Sequence, residues 1–245
     1  GLTTVDNDAK ITTGGNLLLS DAVSIGNANL LLNVTGNVSQ NAGDIITAHG
    51  LALMVSGTTT LTEANDVVLF AADNDGTVQL TVANNLTVGS LTVHGMTVTG
   101  IATSNVDVRI NTGNNLLIDD IVSLGTGNLL LNVTGDIDQN TGDIITANGL
   151  ALLATGTTTL TEANDVNTFA ANNGLAIQFT DTDSLTVGSL TVHSQTVTGI
   201  MTNSGDVKLT TGGDLLVDED INLVDGHLLL NVTGNVSQNA GDIIT

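Results

Sequence analysis

Aspartate is the residue of this sequence with the clearest potential for chemistry, because it returns at a fixed interval beside apolar segments. Asp44, Asp143 and Asp242 each precede an Ile-Ile pair and lie 99 residues apart, and Asp66 and Asp165 keep the same interval. Calcium takes six to eight oxygen ligands, which such carboxylates could supply. We favour the alternative, in which each side chain accepts hydrogen bonds from backbone N–H groups at a turn. Calcium ligation by these five aspartates stays the only cofactor hypothesis.

A second carboxylate pattern is typical of glycoside hydrolases, in which two acidic side chains flank the scissile bond. Glu63 and Asp66 lie three residues apart, and Glu162 and Asp165 repeat the pair. A unique active site has no need of a pair that recurs in every complete repeat. The chain also has only three Lys and Arg residues in total and almost no aromatic residues to bind a sugar. We therefore predict that the protein is not an enzyme.

The basic residues occupy one position of the repeat, and each follows an aspartate by two residues: Asp8 and Lys10, Asp107 and Arg109, Asp206 and Lys208. This arrangement favours a local salt pair at the surface, a kind of contact that contributes about 0–1 kcal/mol. Binding of an anionic glycan by the basic residues is the alternative.

The formal net charge of −22 excludes several kinds of partner. Binding of nucleic-acid phosphates requires clustered Lys and Arg. The same acidity disfavours docking on anionic lipid, and no apolar run approaches the roughly 18 residues that span a bilayer. We therefore expect neither a nucleic-acid partner nor membrane insertion, and we interpret the acidity as a source of solubility and of repulsion between neighbouring chains.

The chain repeats itself every 99 residues. The heptapeptide Leu-Leu-Leu-Asn-Val-Thr-Gly begins at Leu30, Leu129 and Leu228, and Leu30–Thr47 is identical to Leu228–Thr245. A fixed period of this kind is the signature of a repeat architecture. The units are a partial unit 1–29, two complete units 30–128 and 129–227, and a partial unit 228–245. Because the chain begins without an initiator Met and stops within a repeat, we expect it to be a piece of a longer repetitive protein.

A shorter period lies inside each unit. Alternation of apolar and polar residues over five positions predicts a strand with one buried face. Such segments begin at Ala9, Leu30, Leu51, Val78, Val108, Leu129, Leu150, Ile177, Val207 and Leu228. Their spacings of about 21, 27, 30 and 21 residues predict about ten coils of a parallel β-helix, four in each unit. We expect the longer spacings to hold loops or hairpins, above all at Ser90–Ile101.

The composition supports an all-β fold, since Thr and Val suit strands, Asn, Asp and Gly suit turns, and helix-favouring Lys, Glu and Arg are scarce. Tandem immunoglobulin-like β-sandwich domains are the alternative, because such a domain also spans about 100 residues. The absence of Trp, Tyr and Pro and the recurring short motif favour a single continuous solenoid over residues 1–245.

The segments Gly36–Leu53 and Gly135–Leu152, which share Gly-Asp-Ile-Ile-Thr-Ala and end in Leu-Ala-Leu, resemble repeats of the filamentous haemagglutinin family. These are large bacterial exoproteins that are secreted by the two-partner route. The resemblance extends over nearly the whole chain. It implies a right-handed parallel β-helix, export to the cell surface, and adhesion or filament formation.

Together these observations predict a non-enzymatic fibrous protein that is extracellular or attached to the bacterial cell surface. The first hypothesis is the repetitive shaft of an adhesin, which mediates attachment between cells or to surfaces. The alternative is a subunit of a self-assembling extracellular filament or sheath. The expected partners are further copies of the repeat along the fibre, neighbouring fibres and cell-surface glycans.

Overall fold

The computed structural model describes residues 1–245 and contains strands and turns but no helix, and hence no helix that could span a membrane. The strands up to the end of the first complete unit are β1 (Leu2–Thr3), β2 (Ala9–Thr13), β3 (Leu17–Leu19), β4 (Val23–Ser24), β5 (Asn29–Val34), β6 (Val38–Gln40), β7 (Ile46–Thr47), β8 (Gly50–Val55), β9 (Thr59–Asn65), β10 (Leu69–Asn74), β11 (Val78–Val82), β12 (Leu86–Val88), β13 (Ser90–Val93), β14 (Met96–Thr99), β15 (Ile101–Thr103), β16 (Val108–Thr112), β17 (Leu116–Ile118) and β18 (Val122–Ser123). The remaining strands are β19 (Asn128–Val133), β20 (Ile137–Gln139), β21 (Ile145–Ala154), β22 (Thr158–Asn173), β23 (Ile177–Asp181), β24 (Leu185–Val187), β25 (Ser189–Val192), β26 (Gln195–Thr198), β27 (Ile200–Thr202), β28 (Val207–Thr211), β29 (Leu215–Val217), β30 (Ile221–Asn222), β31 (Leu228–Val232) and β32 (Val236–Gln238).

Successive turns of the chain stack in parallel and form one solenoid of about 11 turns. Leu30 of β5 pairs with Leu51 of β8, and Leu51 pairs with Phe70 of β10. Neighbouring turns are therefore joined by backbone hydrogen bonds at a spacing of about 4.8 Å. Antiparallel pairing is confined to two hairpins, β13–β14 and β25–β26. The predicted parallel β-helix is confirmed, and the sandwich alternative is wrong because a sandwich consists of packed antiparallel sheets.

The inward side chains of all turns form one continuous core of 53 buried residues. Alternation along each strand creates this core: Val108 and Ile110 of β16 are buried, whereas Arg109 between them is half-buried. Nearly all core residues are Val, Leu, Ile or Ala. Phe169 and Phe179 stack with their ring centroids 4.4 Å apart in the second complete unit. The core therefore joins the repeat units into one body.

All ten predicted strand starts lie in strands, but one further stacked strand in each complete unit was not predicted. β10 stacks directly on β8 with Phe70 opposite Leu51, so a turn of 19 residues closes here. The prediction that the 27-residue spacing before Val78 holds one coil with an excursion is therefore wrong. The 30-residue spacing does hold the predicted hairpin, which consists of β13 and β14.

The longest face of the solenoid moves to another side of the axis within each unit. β12 and β15 stack on the two ends of β10, while β11 stacks on both ends of β9. On one side of the rod, the strand β10 is followed in the next turn by two short strands, β12 and β15. On another side, the two ends of the bulged strand β9 are followed by the single strand β11. The column that contains Ala9 and Leu30 continues through Leu51, Phe70, Val88, Ile118 and Gln139. Leu129, the equivalent of Leu30, lies in a different column, above Val108, Val78 and Thr59. The unit therefore contains the four predicted turns and part of a fifth.

Candidate functional site

The aspartates that precede the Ile-Ile pairs lie in turns held by backbone atoms. The Asp44 N–H donates to the Asn41 carbonyl oxygen at 3.2 Å, and the Gln40 side-chain amide donates to the Asp44 carbonyl oxygen. The same contacts recur at Asp143 and Asp242. The favoured interpretation, in which these carboxylates cap backbone N–H groups, is wrong because the backbone and a glutamine side chain already hold the turn.

Asp66 and Asp165 lie about one turn of the solenoid further along the chain, where they stack on Thr47 and Thr146, and they also cap no backbone N–H. The Asp66 Oδ1 atom accepts a hydrogen bond from the Asn84 side chain at 2.8 Å, and the Asp165 side chain is exposed. The paired glutamate has a structural contact, since Glu63 Oε2 accepts the N–H of Gly43 at 2.9 Å. The second unit repeats this contact. The glutamate therefore supports the turn below it.

The candidate carboxylates do not lie in one cluster of acidic side chains. Partial burial and then the negative charges of Asp120, Asp119 and Glu162 raise the pKa of Asp143. These acids are close enough to repel one another. Even so, no group of three or more His, Cys, Asp or Glu side chains is arranged to hold a metal ion. The structure does not bring the five calcium candidates together as a set of ligands.

The predicted salt pairs between the basic residues and the preceding aspartates are not formed. Asp8 instead accepts the backbone N–H of Asn29, one turn later, at 2.8 Å. Asp107 and Asp206 make the equivalent bond to the next turn. Hydrogen bonds from the His227 backbone and side chain lower the pKa of Asp206. These aspartates lie at a corner before a strand, where an unpaired N–H of the following turn is the nearer partner.

Corner residues elsewhere link successive turns in the same way. Asn16 Oδ1 accepts the N–H of Asn37 at 2.9 Å, and Asn37 Oδ1 accepts the N–H of Thr58 at 2.9 Å. Such bonds supply acceptors for backbone donors at corners, where strand pairing is interrupted. The capping expected of the calcium candidates is thus performed by other Asn and Asp residues.

A fully buried asparagine closes the bulge in β9. Asn65 Oδ1 accepts the Ile46 N–H at 2.8 Å, and its Nδ2 donates to the carbonyl oxygens of Glu63 at 2.9 Å and Thr81 at 3.1 Å. The register of β9 against β11 shifts at this point, which leaves backbone groups without strand partners. Asn164 makes the equivalent bonds in the second unit. The amide satisfies buried polar groups that would otherwise be unpaired.

Asp181 is the one acidic side chain inside the core, and it is 2% exposed. Its Oδ1 accepts the Val166 N–H at 2.9 Å and its Oδ2 accepts the Asp183 N–H at 3.2 Å. Burial raises its pKa to about 7, against the lowering effect of these hydrogen bonds. Val82 occupies the same place one unit earlier. The acid is therefore peculiar to one unit and is not part of a repeated site.

Two hairpins lie on the outside of the solenoid and cover apolar side chains there. Leu31, Ala52 and Ala71 occupy the outward side of β5, β8 and β10 and are buried against Leu91 and Val98 of the first hairpin. The equivalent cluster of the second hairpin contains Leu130, Ala151, Ala170, Leu190, Val192 and Val197. Each complete unit therefore has a second, smaller core outside the first.

The loop of each hairpin contacts an earlier turn of the solenoid, at a residue 86 positions before it in the chain. His94 Nε2 lies 3.1 Å from the Asp8 carbonyl oxygen, and His193 Nε2 lies 3.4 Å from that of Asp107. Positive φ angles at His94 (48°) and Gly95 (76°) give the two-residue loop the twist of a type I′ turn. The hairpin thereby contacts several turns at once.

The covered outer face was not predicted, although the sequence contains a signal for it. A strand with one wet side alternates, whereas three consecutive leucines indicate a strand that is buried on both sides. Leu31 and Leu130 are each the middle leucine, and both are fully buried. The same leucine in the last copy, Leu229, is 57% exposed.

Comparisons with protein-family models, with curated proteins and with solved structures found no match.

Proposed function

We propose that the chain forms the rigid, repetitive shaft of a non-enzymatic bacterial adhesin, which is exported to the cell surface and mediates attachment between cells or to surfaces. The observation that carries this proposal is the uninterrupted core, which runs through about 11 turns and all repeat units. At about 4.8 Å per turn, the stack is roughly 50 Å long. A rigid rod of this kind is suited to keep an adhesive segment at a fixed distance from the cell surface.

The hairpins support a mechanical role. Each packs across several turns, so separating those turns exposes a second apolar cluster as well as the main core. On their outer side the hairpins carry paired hydroxyls, such as Thr92 with Thr97 and Thr191 with Thr196, each pair at 2.8 Å. Each unit thereby presents the same neutral surface again. Its proposed partners are further repeats along the fibre, neighbouring fibres and cell-surface glycans.

An in-register deletion tests the shaft. Removal of residues 30–128 joins residue 29 to residue 129, and the local sequence of the repeat is preserved at the junction. We expect a folded rod that is shorter by roughly 20 Å in small-angle scattering, from about 4.8 Å per turn. Cells that display the shortened protein should still attach. As a control, deletion of 30–114 breaks the repeat and should abolish the cooperative unfolding transition. If the two deletions behave alike, the rod is not built from interchangeable units.

Electron microscopy of native material distinguishes the two leading functions. Rods that project singly from the surface of cells support the adhesin shaft. Ordered lateral or end-to-end polymers favour the alternative, a self-assembling filament or sheath. Protein dispersed inside the cells contradicts both functions.

A further inference from the structure

One corner of the solenoid has different outward residues in the two complete units. In the second unit these residues line a shallow depression, and we call them the neutral corner: Asn172, Met201, Asn203, Asn222 and Val224. The equivalent residues of the first unit are Asp73, Ala102, Ser104, Ser123 and Gly125. The inward residues of the same strands are unchanged, as Ile101 and Ile200 show. The difference is therefore confined to the surface.

The corner is exposed in both units. Met201 is 48% exposed, although β22 and β30 stack on the two sides of its strand β27. Ala102 and Gly125 are exposed as well, and further turns continue on both sides of them. Exposure of this corner is therefore a property of the repeat.

The neutral corner has amides and apolar groups where the first unit has an acid and small residues. Asn172 takes the place of the exposed Asp73, and Met201 takes the place of Ala102. The first unit has a second carboxylate close by, since Asp75 Oδ1 accepts the Ser104 hydroxyl at 2.8 Å. Its equivalent in the second unit is Gly174. The corner has thus lost negative charge and gained apolar surface.

Val224 is present at a conformational cost. Its φ of 59° lies in the left-handed region, where Gly125 has a φ of 57° at the same place in the repeat. Glycine accepts this conformation freely, whereas a β-branched side chain is strained there. Strain of this kind favours a functional reason for the side chain.

We propose that the neutral corner is the surface by which a second copy of the chain associates side by side, corner against corner. Two chains of formal charge −22 repel each other, so removal of carboxylates from a contact surface matters most when the partner is an identical acidic chain. The exposed amides of Asn172 and Asn203 each offer a donor and an acceptor. They can therefore pair with their own copies across a two-fold axis, while the flexible Met201 supplies apolar contact.

This proposal assigns a surface to the neighbouring fibres, so its role on cells rests on the proposed function. Pairing in solution requires neither export nor attachment, and the in-register deletion tests the shaft without it. The corner is much smaller than the roughly 800 Å² that each partner buries in a stable complex. We therefore expect weak pairing, with a dissociation constant of roughly 0.1–1 mM.

Sedimentation equilibrium of the full chain, at concentrations up to about 2 mM, measures the pairing. M201D and A102D are the matched variants, because each adds one carboxylate at the same exposed position of a unit. We expect M201D to weaken association at least tenfold and A102D to change it less than twofold, with urea unfolding as the check that both variants fold. A parent chain that stays monomeric overturns the proposal, as do equal effects of the two variants.

Single cysteines test the geometry of the pair. The chain has no natural cysteine, so M201C and A102C each provide one exposed thiol. Diamide takes up the two electrons and two protons released when two thiols form a disulfide. We expect the M201C chain to form disulfide-linked dimers at least tenfold faster than the A102C chain, and N172D in the M201C chain to slow the reaction. Equal rates for M201C and A102C contradict a corner-to-corner contact.

Discussion

Replacement of Asp181 by valine should remove a pH-dependent loss of stability from the second complete unit. Asp181 is buried with a pKa of about 7, and an unfolded aspartate titrates near 3.8. The folded state therefore binds the proton more tightly, so stability falls as the pH rises from about 4 to about 7 and stays low above that range. At 1.36 kcal/mol for each pH unit, the loss amounts to about 4 kcal/mol. The valine found at the equivalent position 82 shows that the core accepts this side chain.

Urea unfolding between pH 4 and pH 8, followed by circular dichroism, measures the effect. The advantage of D181V over the parent chain should grow by about 4 kcal/mol between the two ends of this range. The reciprocal variant V82D is the matched control, because it places an acid in the corresponding site of the first unit. It should create a pH dependence of the same sign.

Nuclear magnetic resonance titration of the Asp181 carboxyl carbon tests the cause separately. A midpoint near pH 4 in the folded protein would refute the reasoning, because burial would then impose no cost on the charged form. A constant difference between D181V and the parent chain at all pH values would do so as well. That outcome would indicate a packing effect without a titration effect.

Three further substitutions, of which the first two use an equivalent position as a control, are measured by urea unfolding at constant pH. A Cβ atom at Gly113 would lie 2.0 Å from the Ala83 carbonyl oxygen, but at the equivalent Gly14 it meets nothing within 4 Å; G113A should therefore cost about 1–3 kcal/mol and G14A less than about 0.5 kcal/mol. L130A should cost about 2–5 kcal/mol because the leucine is buried under a hairpin, whereas L229A should have little effect. N65A should cost at least about 2 kcal/mol, since it leaves several buried backbone groups unpaired, and a loss below about 0.5 kcal/mol would show that water replaces the amide.

The strand positions could be predicted because most strands have one side in the core, which imposes alternation on the sequence. The strand that contains Ala71 escaped prediction because its inward residues are Phe70, Ala72 and the polar Asn74, which break the apolar pattern of the other strands. Its outer side is covered as well, so no alternation remains. Its cover is the hairpin that begins 16 residues later, at Ser90 and Leu91 beyond the end of β10. Local periodicity cannot report a contact of that kind. The hairpin itself was predictable from the 30-residue spacing between strand starts and from its alternating apolar residues.

The candidate site was predicted less well than the fold, because residue type and interval do not identify the atom that makes a contact. Asp44 returns at the repeat interval, yet its backbone carries the hydrogen bonds. Asp181 falls on the inward register of Ile177 and Phe179, so its burial could be inferred. Its raised pKa could not, since that depends on the distances to the Val166 and Asp183 N–H groups.

The long face lies on a different side of the rod in successive units, and this determines which sides of the rod carry the repeated surface. β19 stacks over β16 and β11, whereas β5 lies in a different column, which continues through β8 and β10 to β12. The two hairpins cover these two faces and therefore lie on different sides of the rod. Because the change of face is built into each 99-residue unit, successive units present the same hydroxyl-bearing surface in different directions. The same hairpin surface can therefore bind partners on more than one side of the rod, and no second binding motif is required.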